Sequence, residues 1–365
     1  MPENKDNKIL NVPNLRFPEF EGEWEEHYLS DYLDFKNGLN PKPERFGKGI
    51  RFISVMDILN NAVITNDCIR ASVDVSEEEL LSFCVENGDI LFQRSSETLE
   101  DVGRANVYMD NKPAVFGGFV IRGKKKAEYD PLFFRYLLAS PFARKKIIPM
   151  GAGAQHFNIG QEGLNKVKLH FALLDEQKKI ARLLSLLDER IAIQNKIIEK
   201  LETLIKGLRV HLTQKTDGYI VYLSEIAKIY QPQTISLSEF TEEGYLVYGA
   251  NGIIGKYREY NHRTEQICIT CRGNTCGMVN YTKPKSWITG NAMIVNTDDY
   301  QDKICKRYLY HYLSTYNFNS IISGSGQPQI VRSPLEKLKV KLPAILKQKQ
   351  IATFLDKLQN QIEIN

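Results

Sequence analysis

An internal repeat limits what this chain can fold into more than any other feature. Residues 177–194 read QKKIARLLSLLDERIAIQ and residues 348–365 read QKQIATFLDKLQNQIEIN, at a constant offset of 171 residues. The match runs upstream, where Leu164-x-Lys166-Val167-Lys168-Leu169 faces Leu335-x-Lys337-Leu338-Lys339-Val340. Before it, each half carries a Gly/Gln loop, GAGAQHFNIG at 151–160 and GSGQPQI at 324–330. Both halves also open alike, with Leu29-Ser30-Asp31 and Leu223-Ser224-Glu225. The chain therefore reads as a duplication: globular unit, helix, globular unit, helix. Solenoid repeats have periods of about 20–50 residues, so a solenoid is excluded.

The helical segments carry a coiled-coil pattern. Ile180, Leu184, Leu187, Ile191, Ile198, Leu201, Ile205, Leu208 and Leu212 alternate by four and three, with Gln194 as the polar seam position. A 3.5-residue period held over several heptads predicts a coiled coil rather than a broad amphipathic face. At 1.5 Å per residue, the stretch makes a rod of about 57 Å. The second copy places Ile351, Leu355, Leu358 and Ile362 on its seam and stops at Asn365, the equivalent of Gln194. This leaves the seam from Ile198 to Leu212 expected to be exposed or covered by a partner. The expected boundaries are a first globular domain over 1–173, a central helix over 174–215, a second domain over 216–343 and a short C-terminal helix over 344–365.

The globular units read as α+β. Short segments rich in Val, Ile, Tyr and Phe, such as 89–92, 114–116, 118–121, 245–248 and 292–295, lie between Gly, Asn, Asp and Pro. Each unit has one late helical stretch, at 131–138 and 307–313. Polar insertions fall at strand ends: Gln93, Arg94, Ser95 and Ser96, with Arg104, in the first unit, and Arg272, Asn274 and Thr275 at the equivalent place in the second. Gln155 and His156, and Gln327 and Gln329, sit in the Gly/Gln loops. Such side chains read base edges and phosphates. Composition alone leaves open that these are ordinary solvated turns, where Ser, Asn and Gly abound.

Other classes are excluded or disfavoured. The 365 residues carry 48 Lys+Arg against 44 Asp+Glu, a balance of +4 that argues nothing by itself about nucleic acid. No apolar run approaches the ~18 residues of a membrane span, and the first residues form no secretory leader. The six cysteines suggest no disulfide framework. Cys268, Cys271 and Cys276 lack a well-spaced fourth zinc ligand, so cytoplasmic free thiols are expected and no metal site. There is no phosphate-binding Walker loop, and GAGAQH fails the dinucleotide fingerprint. Asn40-Pro41-Lys42-Pro43 lacks the aromatic fourth residue with which amino-methyltransferases stack a flipped base. No catalytic residue is therefore assigned.

Several stretches together carry a family resemblance. They are 13–24 (PNLRFPEFEGEW), 87–98 (NGDILFQRSSET), 271–279 (CRGNTCGMV) with 289–293 (TGNAM), and 174–180 (LDEQKKI). With the domain–helix–domain–helix order, the chain resembles the DNA-specificity (S) subunit of type I restriction–modification enzymes. The resemblance implies two target recognition domains, each reading half of a bipartite duplex DNA site, and antiparallel helices that act as a ruler. It implies two methyltransferase (M) subunits and restriction (R) subunits as partners, and no cofactor or catalysis in this chain. Family members usually extend the second helix further than this one. The competing expectations are a coiled-coil scaffold whose β-rich domains bind protein or glycan, or an enzyme with unfamiliar motifs.

Overall fold

The structure, a computed structural model, describes residues 12–250, 252–324 and 326–364, with 362–364 as backbone only. Two units emerge, the first ending at Ile191 and the second beginning at Ala192. The break falls within one long helix, Leu174–Gln214.

In the first unit, strand Glu25–Tyr28 pairs antiparallel with Lys168–Phe171. A four-stranded antiparallel sheet has the order Leu33–Asn37, Val120–Lys125, Ile90–Gln93, Ala105–Val107. A second, mixed sheet sets Phe46–Ile53 between Ser72–Val73, antiparallel, and Ala114–Phe116, parallel. The unit is mixed in both helix and strand content. Ile90, Leu91, Phe92 and Gln93 are all buried, as a central strand covered on both faces requires.

The helix Pro131–Ala139 closes the main sheet. Pro131 stands at its first position and the Asp130 carboxylate accepts from Phe133 N at 2.8 Å, a sound N-terminal cap. Phe134 stacks on Tyr129 at 3.9 Å and on Phe171 at 5.2 Å. The start of the long helix joins this core through Ala181, with Ile180 half-buried beside it. The leader segment 13–24 ties down the same helix end. Arg16 donates twice to Glu176, Nε to Oε1 and Nη2 to Oε2, both at 2.8 Å.

The second unit repeats the plan. Tyr219–Tyr222 pairs with Lys339–Leu342. The four-stranded sheet runs Lys228–Tyr230, Ala292–Asn296, Ile267–Thr270, Val279–Tyr281. The mixed sheet sets Tyr245–Gly249 between Gly252–Tyr257 and Trp287–Ile288. Helix Lys306–Leu313 takes the place of Pro131–Ala139, and helix Ile345–Ile364 follows. Small details recur: Leu29 N donates to Val167 O at 2.9 Å and Leu223 N to Leu338 O at 2.8 Å.

The helices correct one expectation. The stretch from Ile198 to Leu212 is not a bare seam. Ile205 is 7% exposed, and Leu208 and Leu212 pack on the second unit's core together with Ile351, Ala352 and Leu355. Arg209 Nη2 donates to Gln359 Oε1 at 3.0 Å across the same contact. Ile351 and Leu355 are thus core residues of their own unit. Heptad spacing identifies a covered face but not the surface that covers it. Ile198, Leu201 and Leu358 are half-buried, as is Leu184 in the first unit. Leu187 and Ile191 are 48% and 58% exposed. The Ile362 side chain and Asn365 lie outside the described residues.

Candidate nucleic-acid interface

In each unit, two separated stretches of sequence meet at the end of an interior strand of the main sheet. In the first unit, the strand Ile90–Gln93 runs out into Arg94, Ser95 and Ser96. Ser95–Ser96 pairs antiparallel with Phe157–Asn158, and Ser95 Oγ hydrogen-bonds Asn158 Oδ1. Ile159 N donates to Arg94 O at 2.9 Å. This pairing brings the Gly-rich hairpin with Gln155 and His156 against the 94–98 loop, although they are far apart in sequence.

The hairpin itself is closed by two bonds between Ala152 and Asn158, at 2.9 and 2.8 Å. Gly153 sits at φ +144°, and any Cβ there would strike the His156 carbonyl. Only glycine tolerates both the dihedral and the close approach.

The second unit builds the same object from different residues. Arg272 bridges Gln329, and Ile330 N donates to Cys271 O at 3.0 Å. Ser323 and Gln329 exchange bonds of 2.9 and 2.8 Å. Gly324, at φ +92°, abuts the Gln327 carbonyl as Gly153 abuts that of His156. Ala152, Gly153, His156, Asn158 and Ile159 thus correspond one by one to Ser323, Gly324, Gln327, Gln329 and Ile330. All five pairs keep the offset of the sequence repeat.

A profile of the type I restriction modification DNA specificity domain matches residues 21–203 and again 219–365. The chain belongs to that family. It is 34% identical to the Escherichia coli type I restriction enzyme EcoprrI specificity subunit over 148 residues, 39% of this chain and 36% of that one. It is 23% identical to the MjaVIII specificity subunit of Methanocaldococcus jannaschii, covering 99% of this chain and 91% of that one. The crystal structure of the type I system S subunit from M. genitalium superposes with a TM-score of 0.62 at 17% identity, covering 96% of this chain and 93% of that chain, a likeness of fold.

Within these two specificity domains, the residues singled out by sequence fall into distinct positions. Gln155, His156, Arg272, Asn274, Gln327 and Gln329 are exposed, and Ser96 and Thr275 are half-buried beside them. Arg104 is exposed and paired with Asp101 at 2.7 Å. Arg94 is half-buried, its Nη1 donating to Gly118 O at 3.2 Å. Ser95 is engaged with Asn158. Gln93 is 4% exposed and its Nε2 donates to Ser95 O at 2.9 Å, so it braces the loop from beneath.

Two supports, Arg144 and Gln231, escaped the sequence reading. Arg144, on helix Pro141–Ile147, donates from Nη2 to Glu100 O and Val102 O, both at 2.7 Å, and so staples the loop that presents Arg104. Burial lowers the Arg144 pKa, with Arg104 adding to the effect. Gln231 Nε2 hydrogen-bonds Gly290 O in the second unit. Cys271 lies beneath the second loop, its thiol pushed up by burial. Burial likewise raises Cys268 to about 12, so both behave as small packing residues. Among the described residues no cluster of His, Cys, Asp or Glu is arranged to hold a metal, and no helix is long and apolar enough to cross a membrane.

Proposed function

We propose that this chain is the sequence-reading subunit of a type I restriction–modification complex. Each unit engages duplex DNA through its paired loops, 94–104 with 152–158 and 271–276 with 323–329, and reads one half of a bipartite site. The observation that carries this reading is the duplication of the loop pair. Two hairpins with equivalent closing bonds and an equivalent glycine carry different exposed side chains, His156 against Gln327 and Asn158 against Gln329. Common scaffolding with divergent tips is what two readers of different base sequences need, because base edges, not the backbone, carry sequence information. Arg94, Arg104 and Arg272 supply cations for phosphates or guanine edges.

The long helix Leu174–Gln214 and the helix Ile345–Ile364 serve as an antiparallel spacer and as docking surface for two methyltransferase subunits, to which restriction subunits add. Leu187 and Ile191 are exposed apolar residues suited to such docking. The chain itself performs no catalysis and binds no cofactor. Methylation and ATP-driven cleavage belong to its partners.

The test is to purify the chain with its methyltransferase subunits and map the methylated adenines on a random-sequence library. The expected result is one bipartite motif with a fixed unread gap. Binding to a matching duplex should weaken steeply with salt. Methylation without a motif, or binding indifferent to both salt and sequence, would overturn the proposal.

A further inference from the structure

In each unit one exposed residue stands beside the paired loops and is hydrogen-bonded to them through its carbonyl, outside the loops themselves. In the first unit it is Phe119, 68% exposed, whose carbonyl accepts from Arg94 N at 2.8 Å. In the second it is Asn291, also exposed, whose carbonyl accepts from Cys271 N at 3.0 Å. The two places are equivalent. Arg94 and Cys271 each accept from the hairpin residue of the same rank, Ile159 and Ile330. Each exposed residue follows a glycine, Gly118 or Gly290, and precedes a buried strand, Val120–Lys125 or Ala292–Asn296.

Gly117 and Gly118 are closely packed. The Asn40 side-chain oxygen occupies the space that a Cβ on Gly118 would need, and Gly117 packs on the Phe52 ring. The Gly118 carbonyl accepts from Arg94 Nη1, and that of Gly290 accepts from Gln231 Nε2. A large ring held in solvent beside the paired loops needs a reason. Phe119 is the most exposed phenylalanine of the described residues in this unit, ahead of Phe46 and Phe142, whereas Phe92, Phe116 and Phe134 are buried. Phe119 also forms one wall of an apolar cleft of about 400 Å³ shared with Pro41, Phe46 and Met56.

We propose that this is a base-discriminating position of each unit: Phe119 contacts a thymine methyl in one half-site, and Asn291 pairs with an adenine edge in the other. The inference rests on the DNA-reading function proposed above. The chemistry follows from the groove. The thymine C5 methyl is the apolar mark of the major groove and suits an aromatic contact, whereas the Asn amide matches adenine N6 and N7 in a bidentate pair. Neither side chain can replace the other. The two units would therefore differ in base preference at the same place in the fold.

The experiment uses the chain assembled with its methyltransferase subunits and compares wild type, Phe119→Ala, Phe119→Leu and Asn291→Ala. Modification motifs are mapped first. Then each thymine of the motif is replaced by uracil, which deletes only the methyl. Wild type should lose about fourfold in affinity at one thymine, the worth of one buried methyl. Phe119→Ala should be indifferent to uracil at that base and keep the response elsewhere. Phe119→Leu, still apolar, should retain part of the sensitivity. Asn291→Ala should relax one adenine of the other half-site by roughly five- to hundredfold. A defined motif that all three variants share unchanged, or one whose uracil response Phe119→Ala leaves intact, overturns this inference alone. A wild-type complex without any motif overturns the parent reading and this one together.

Discussion

Gln177 Oε1 accepts from the backbone N of Asp130 at 3.0 Å and so ties the start of the long helix to the cap of helix Pro131–Ala139. Its Nε2 donates to Ala172 O at 2.8 Å. Gln348 repeats the arrangement with Cys305 N at 2.8 Å, Pro343 O at 2.9 Å and Lys303 O at 3.0 Å. Both amides are buried, and each joins a helix cap to the turn before the next helix. Gln177→Ala should orphan a backbone donor and acceptor in a site closed to water, at about 1–3 kcal/mol per group. Gln177→Glu should recover the bond to Asp130 N but not that to Ala172 O. Urea unfolding of each variant checks this. The same substitutions at Gln348 should act on the second unit with similar size.

Arg16 and Glu176 make a stronger claim. The Glu176 side chain is fully buried and accepts two charge-assisted bonds from Arg16, which raise the Arg16 pKa. Removing Arg16 leaves the buried Glu176 carboxylate without its partner, a destabilising change. Arg16→Ala should thus destabilise the first unit far more than its surface location suggests. Arg16→Ala with Glu176→Gln should regain part of the loss. Differential scanning calorimetry of the single and double variants gives the coupling. Additive losses would contradict the pairing.

In the second unit, Asp356 of the C-terminal helix accepts from His311 Nε2 at 2.8 Å and from Arg307 Nε at 2.9 and 3.0 Å. Burial alone would raise the Asp356 pKa, but the bonds from His311 and Arg307 outweigh it and hold the carboxyl at about 2. Burial lowers the His311 pKa, with Arg209 and Arg307 adding to the effect against Asp356. The signs agree. A histidine whose folded pKa lies below 6.5 favours the unfolded chain once pH drops under that value. A carboxylate depressed from about 3.9 contributes stability that is present above pH 4 and lost toward pH 2. The protection factors against hydrogen exchange along 345–361, taken relative to the intrinsic rate at each pH, should therefore fall in two stages, first as pH drops below 6.5 and again below 4. Asp356→Asn should abolish the lower stage.

The two hairpin glycines test the proposed recognition surface without touching its polar side chains. Gly153→Ala and Gly324→Ala each force an unfavourable dihedral and a backbone collision. The strain amounts to about 1–3 kcal/mol and must be relieved by moving the hairpin. Each variant should weaken DNA binding by roughly tenfold or more while thermal unfolding of the whole chain changes little. Competition between duplexes altered in one half-site shows which is affected. Gly153→Ala should lose selectivity in one half and Gly324→Ala in the other. Loss of both halves from a single substitution would count against independent readers.

Much of this architecture was legible in the sequence, and the failures have physical causes. The repeat was visible because Gln177 and Gln348, and Ala181 and Ala352, occupy equivalent buried positions. The Gly/Gln loops stood out because positive dihedrals demand glycine. Gln93 misled because its strand is buried on both faces, which erases the alternation that separates a presented side chain from a supporting one. The seam residues Leu208 and Leu212 misled for a different reason: periodicity marks an apolar face without naming what covers it, and here their own unit does. Phe119 lay inside an apolar run, Val115 to Ile121, and nothing in that run tells an exposed ring from buried neighbours.

The spacer role of the helices gives the last prediction. If the half-site readers are held apart by helix length, inserting one heptad into both helices should lengthen the unread gap and leave the half-sites alone. Seven residues add about 10 Å of helix, close to three base pairs of duplex at 3.4 Å each. The exposed stretch around Leu187 and Ile191 of the long helix tolerates such an insertion without opening a core. On the second helix the insertion belongs beyond Leu355, since Ile351, Ala352 and Leu355 are core residues. The complementary exchange, replacing residues 24–170 with the corresponding domain of a relative, should change one half-site and keep the gap. Methylated-motif mapping reads both outcomes at once. A heptad insertion that alters half-site bases, or a domain exchange that alters the gap, would separate recognition from helix length and leave the spacer without a role.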